Sequence, residues 1–113
     1  MAGWIGVDLD GTLAQYHHWV SADHIGEPIS SMVDRVKRWL AQGRTVKIFT
    51  ARVYGNQRDE ALAPIEQWCQ KHIGQVLEVT CSKDYGMIEL WDDRAVQVEP
   101  NTGRRVDGIG VDW

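Results

Sequence analysis

Cysteine is scarce in this chain. The two present, Cys69 and Cys81, form no CxxC pair, so a disulfide framework and a cysteine-rich zinc site are both excluded. A reducing compartment is the simplest reading. No apolar run approaches the roughly 18 residues of a membrane span. The start, Met1-Ala2-Gly3-Trp4, lacks the charged-then-apolar plan of a signal peptide. The expectation is a cytoplasmic protein with no membrane partner. A basic excess is also missing: 12 Lys+Arg against 16 Asp+Glu give a net charge of −4. An extended nucleic-acid groove calls for the opposite balance, although a short contact with a nucleic-acid end does not. Phenylalanine occurs once, whereas tryptophan occurs six times.

What is present is ordinary for one globular domain. The 113 residues are 43% hydrophobic and 25% charged, enough for a single core spanning 1–113. Trp4-Ile5-Gly6-Val7-Asp8-Leu9 reads as a buried strand that runs into a turn at Asp10-Gly11-Thr12. Residues 14–28 hold three histidines, two aromatics, Gly26 and Pro28 without a period, and read as an irregular flap. Ile29, Met32, Val33, Val36, Trp39 and Leu40 recur at helical spacing, with Gly43 as a stop. Thr45–Thr50 is a second strand. A second helix is expected over about 57–73, capped by Asn56, with Leu62, Ile65, Cys69 and Ile73 on its apolar face and a break or kink at Pro64. Further strands are expected at 76–80, 87–91 and 95–99, and then a turn at Pro100-Asn101-Thr102-Gly103 opens a short hairpin and tail over 100–113. Strands alternating with helices predict an α/β fold with three layers and a mainly parallel sheet of five strands. Ile5-Gly6-Val7-Asp8 recurs as Ile109-Gly110-Val111-Asp112; with no other internal similarity, this is a coincidence and not a repeat.

Polar groups collect where the predicted strands end. Asp8 and Asp10 close the first, Thr50 and Arg52 the second, Lys83 follows the third, and Asp92, Asp93 and Arg94 the fourth. Ligands bind along this edge of open α/β sheets. Crowded carboxylates repel one another unless a cation sits among them, and Mg²⁺ suits a few carboxylates completed by water and phosphate. Thr50, Lys83 and the backbone N–H groups near Gly11 and Thr12 are candidates to hold phosphate oxygens. A carboxylate beside a phosphate can attack phosphorus, and a second one can move the protons.

Asp8-Leu9-Asp10-Gly11-Thr12-Leu13 resembles the signature of the haloacid dehalogenase (HAD) superfamily. Thr50, Lys83 and Asp92-Asp93 are similar to its later motifs and follow in its order across residues 4–94. The resemblance implies a Rossmann-like fold and Mg²⁺-dependent phosphatase chemistry through an aspartyl-phosphate. It makes Asp8 the nucleophile and Asp10 the acid/base residue, and gives the phosphoryl group to Thr50 and Lys83. The metal set would be Asp8, the Asp10 carbonyl, and one or both of Asp92 and Asp93. Asp at position 10 favours phosphatase over dehalogenase chemistry. Arg52 and Asp92-Asp93-Arg94 are also similar to the 3′-phosphatase domain of polynucleotide kinase/phosphatase, and small phage HAD phosphatases share the general plan. No kinase half is expected within these residues: Gly6 to Gly11 has the phosphate-loop glycine spacing, but Thr12 stands where a lysine is required.

Arg52 and Arg94 are open between substrate contact and ordinary ion pairing. Tyr16 and His17 are candidate substrate contacts on the flap. His17, His18 and His24 match no zinc spacing. Tyr16, Trp19 and Tyr54 flank the expected mouth, where they either pack the flap or stack on a base. Trp39 and Trp68 are expected in the core, and Cys81 is given no role. The partner implied is a phosphorylated substrate, either a nucleotide or a nucleic-acid end; a homo-oligomer is compatible with this. A non-catalytic phosphate-sensing or partner-binding module and a phosphotransferase are the alternatives. Neither the 11–28 stretch nor the segment between Thr50 and Lys83 has room for an inserted cap domain, so an open, capless site is expected.

Overall fold

A computed structural model describes residues 3–109 of the chain. Most of the second Ile-Gly-Val-Asp string, and the end of the 100–113 tail, lie outside the described residues. The elements are β1 (Trp4–Val7), α1 (Ser30–Ala41), β2 (Val46–Phe49), α2 (Arg58–His72), β3 (Val79–Thr80) and β4 (Met87–Trp91). All strand pairs are parallel and the order is β3-β2-β1-β4. The chain is an α/β protein whose parallel sheet of four strands and two helices is compatible with a Rossmann-like fold.

Every residue of β1 is buried, and the strand sits inside the sheet between β2 and β4. Ile5 and Val7 pair with Val46 and Ile48, and Val7 pairs with Trp91. These side chains share one face, which meets Met32, Val33, Val36 and Trp39 of α1 and Ile65, Trp68 and Cys69 of α2 in one core. Trp39 meets Trp91 edge-on, with ring centroids 5.2 Å apart. The Trp39 and Trp68 expectations hold, at 9% and 7% exposure.

Three expectations need correction. The sequence reading expects five strands, but among the described residues there are four. Val96 and Val98 alternate as a strand would, yet both are about half exposed. With no surface to bury them, the segment closes on itself: Val98 bridges Arg105, which is the expected short hairpin. The three-layer arrangement also differs. The chain steps from β1 to β2 to β3 in one direction, so right-handed crossovers put α1 and α2 on the same face. The other face carries Trp4 under Lys47, with Met87 and Leu90 over Gly6. Finally, α2 runs unbroken through Pro64, and its N-cap is Gln57, with no side-chain cap bond from Asn56. Asn56 sits instead in the short 3₁₀ turn Gly55–Gln57. Among the described residues no helix is long and apolar enough to cross a membrane.

Candidate functional site

The direction of strand addition reverses at β1, with β2 on one side and β4 on the other. A crevice opens at the C-terminal end of the strands at such a switch point. The register then dictates who meets there. Val7 opposes Trp91, so the next residues, Asp8 and Asp92, leave the sheet side by side, and the Asp8 N–H donates to the Trp91 carbonyl at 2.9 Å.

A tight turn follows. Leu9 is fully buried and its carbonyl accepts the N–H groups of Leu13 and Ala14 at 3.0 and 2.9 Å. This folds Thr12 back over the site. Its hydroxyl accepts the Asp93 N–H at 3.0 Å and lies 3.4 Å from Asp8 Oδ2. Gly11 has φ +90°, and a Cβ there would stand 2.5 Å from Asp93 Oδ2; only glycine fits both the angle and the space. The Asp92 carboxylate accepts the Arg94 N–H at 2.7 Å, which shapes the loop after β4.

Asp8, Asp92 and Asp93 thus each offer an oxygen within 4.8 Å of the others. Burial, then the Asp92 charge, then Asp93 by hydrogen bond and charge, and last Asp10 push the Asp8 carboxyl up from 3.8 to about 7. The donor set is hard, all-oxygen and open to one side. That fits Mg²⁺, which keeps several waters and takes few protein carboxylates.

The crevice is a cavity of about 910 Å³. Asp8, Asp10, Thr50, Arg52, Asp92, Asp93, Arg94 and Tyr16 line it, so most of the expected site residues come together. Thr50 is buried and its hydroxyl accepts the Arg52 N–H at 3.2 Å, capping the 3₁₀ turn Ala51–Val53. Asp10 holds Arg52 in a two-point pair, with Nε to Oδ2 at 2.8 Å and Nη2 to Oδ1 at 2.9 Å. Arg52 is therefore engaged as the ion-pair partner of Asp10.

Not every expected residue converges. Lys83 follows β3 at the same sheet edge, but it is exposed and outside the cavity lining. Its neighbour Asp84 accepts Trp4 Nε1 at 2.9 Å and forms no salt bridge with Lys83 among the described residues. Gly11 and Thr12 do not line the wall, and their N–H groups, expected to hold phosphate oxygens, donate instead to the Ala14 and Leu9 carbonyls at 2.8 and 3.4 Å. His17, His18 and His24 line a smaller neighbouring cavity of about 240 Å³, which Tyr16 shares. Cys81 is half-buried, and the buried Cys69 thiol is pushed up to about 11 by desolvation, so neither points to thiolate chemistry.

Sequence reasoning missed several members. Gln57 and Glu60 line the cavity. Their spacing at the start of a helix that follows a strand end was the available signal, because helix N-termini face this crevice. Trp19, by contrast, is expected at the mouth from sequence and does line the cavity, with its ring 4.9 Å from the Arg52 guanidinium carbon. Trp68 reaches out of the core to donate to the Gly26 carbonyl at 2.9 Å.

No protein-family model matches the chain, and no curated protein matches it. A solved structure of a conserved protein coded by a locus of Bacteroides thetaiotaomicron is similar, with a TM-score of 0.60 and 24% identity over 89% of this chain and 84% of that one. The likeness extends to the fold: an α/β chain built on a parallel sheet of this kind.

Proposed function

We propose that this chain is a Mg²⁺-dependent phosphomonoester hydrolase that works through an aspartyl-phosphate on Asp8, as a capless HAD-type phosphatase would. The observation that carries this reading is the meeting of Asp8, Asp92 and Asp93 within 4.8 Å at the switch point, with Asp10 on the same cavity. Asp8, Asp92 and Asp93 would hold the Mg²⁺, whose charge would offset theirs and that of the phosphate.

The chain's own residues supply the rest. An Asp8 oxygen attacks phosphorus while the bond to the leaving oxygen breaks. Asp10 gives that oxygen a proton and then takes one from the water that cleaves the acyl phosphate, freeing Asp8 and inorganic phosphate. Each Asp10 oxygen keeps a lone pair beyond its bond to Arg52, so it can still accept from water. Thr50 lies at the cavity wall, and its hydroxyl hydrogen would go to a phosphoryl oxygen. Tyr16 and Trp19 are 44% and 56% exposed, leaving aromatic faces at the mouth for a nucleobase. A nucleotide or nucleic-acid-end phosphate is the favoured substrate class.

The test is a panel of phosphomonoesters spanning nucleotides, 3′- and 5′-phosphorylated oligonucleotides, sugar phosphates and phosphopeptides, with and without EDTA. Turnover by the parent that EDTA abolishes and Asp8→Asn eliminates is expected. Phosphate release that persists in Asp8→Asn would reject covalent catalysis by Asp8.

A further inference from the structure

Arg52 is the most heavily used side chain at the site. Its guanidinium has five N–H groups. Nε and one Nη2 hydrogen bind Asp10, the second Nη2 hydrogen reaches the His24 carbonyl at 3.0 Å, and Nη1 reaches the Ala22 carbonyl at 3.4 Å. One N–H is left. The side chain is 6% exposed and one of its faces meets Trp19. A group so occupied has no free fork for a phosphate. What it does have is a hold on two things at once, a carboxylate after β1 and the middle of the 14–28 loop.

That loop is closed at its base without help from Arg52. Gln15 N–H donates to the Glu27 carbonyl and Ile29 N–H to the Leu13 carbonyl, both at 2.8 Å. Gly26 is required where the two sides of the stem touch, since a Cβ would fall 2.0 Å from the Gln15 carbonyl oxygen. Beyond this stem, the two carbonyl bonds from Arg52 tie the loop to the sheet edge. The same loop carries Tyr16 and Trp19 into the cavity wall.

We propose that Arg52 is a positioning residue that fixes the Asp10 carboxylate and the 14–28 loop as one unit, so that the proton-moving group and the aromatic wall of the cavity share one anchor. The inference rests on the phosphatase reading for its kinetic part alone. In the second half of that reaction, water attacks phosphorus, its proton passes to Asp10, and the bond from phosphorus to Asp8 breaks. A displaced Asp10 slows this step, whereas attack by Asp8 on an aryl phosphate, whose leaving oxygen needs no proton, continues.

Two measurements test it, using the full chain and p-nitrophenyl phosphate as the probe. Arg52→Gln should release nitrophenol in a burst approaching one per chain and then turn over at least about tenfold more slowly than the parent, with KM falling alongside kcat so that kcat/KM changes by less than about threefold. Arg52→Lys should not restore the rate, because an ammonium cannot form the two-point pair and reach both carbonyls. Backbone hydrogen exchange across 16–25 should quicken severalfold in Arg52→Gln and also in Asp10→Asn, while exchange in α1 stays at the parent's rate. A raised KM without a burst would make Arg52 a substrate contact and overturn the proposal. Unchanged loop exchange in both variants would overturn it too. If the parent hydrolyses no phosphomonoester, the phosphatase reading fails, and the exchange measurement still decides whether Arg52 ties Asp10 to the loop. Should Arg52→Gln fold poorly, Asp10→Asn tests the same link from its other end.

Discussion

Asp8 is at once the residue on which the chemistry would turn and one of the less comfortable residues of the metal-free fold. Its carboxyl is pushed up from 3.8 to about 7. Between those values the folded chain keeps a proton that the unfolded chain has released, so stability falls as pH rises through that window. Asp8→Asn removes the titration. In chelator it should melt above the parent at pH 8, with the gap closing near pH 4, as scanning calorimetry can show. A parent melting temperature that stays level between pH 4 and 8 would reject the burial of charge at this position. Mg²⁺ should raise the parent's melting temperature at pH 8 and leave Asp8→Asn nearly unmoved. At this scale the sequence was a good guide to Asp8, Asp10, Asp92 and Asp93, because strand ends follow from apolar runs and the next residue must emerge at the edge. Arg52 was ambiguous because its partner lies 42 residues away, and no local pattern announces a contact at that range. Lys83 was misleading in a different manner. Its place after a strand is right, but where its side chain goes depends on the loop before β4, whose acid, Asp84, is claimed by Trp4.

Among the elements, α1 was legible nearly residue by residue, since Met32, Val33, Val36 and Trp39 form the buried stripe that the spacing marks out. α2 was less so. Its stripe includes Ala61 and Trp68, and Trp68 hides its polar role, because the indole N–H reaches Gly26 while the ring packs in the core. Pro64 breaks the sequence pattern but not the helix. Burial of Ala61, Ile65, Trp68 and Cys69 on both sides of it outweighs one missing N–H. Replacing Pro64 should therefore expose a latent gain. Pro64→Ala restores the hydrogen bond toward the Glu60 carbonyl and helix propensity, against a smaller loss from a freer unfolded chain, and should stabilise the fold by about 1–2 kcal/mol in urea titration. A destabilised Pro64→Ala would mean that the ring itself packs in a way the helix needs. The apolar pattern suggests five residues for β3, which pairs over two, because Leu77 is buried without joining the ladder.

For the molecule as a whole, strand order decided what the sequence could not. Alternating strands and helices announce a parallel sheet, and they also invite a third layer. A layer on the second face needs a crossover in the opposite direction, and among the described residues both helical crossovers step the same way. The two faces should then differ in what they contribute to stability. Ile48 is fully buried on the helix-covered face, whereas Leu90, on the other, is 39% exposed. Truncating Ile48 to alanine leaves a cavity in a packed core and should cost about 3 kcal/mol. Leu90→Ala removes a side chain already in partial contact with water and should cost about 1 kcal/mol or less. Paired urea titrations of the two variants measure the difference directly. Similar losses at both positions would mean that the Leu90 face is covered in solution. The Leu90→Ala loss would then depend on protein concentration if a second copy were the cover, and would not if the chain covered the face itself.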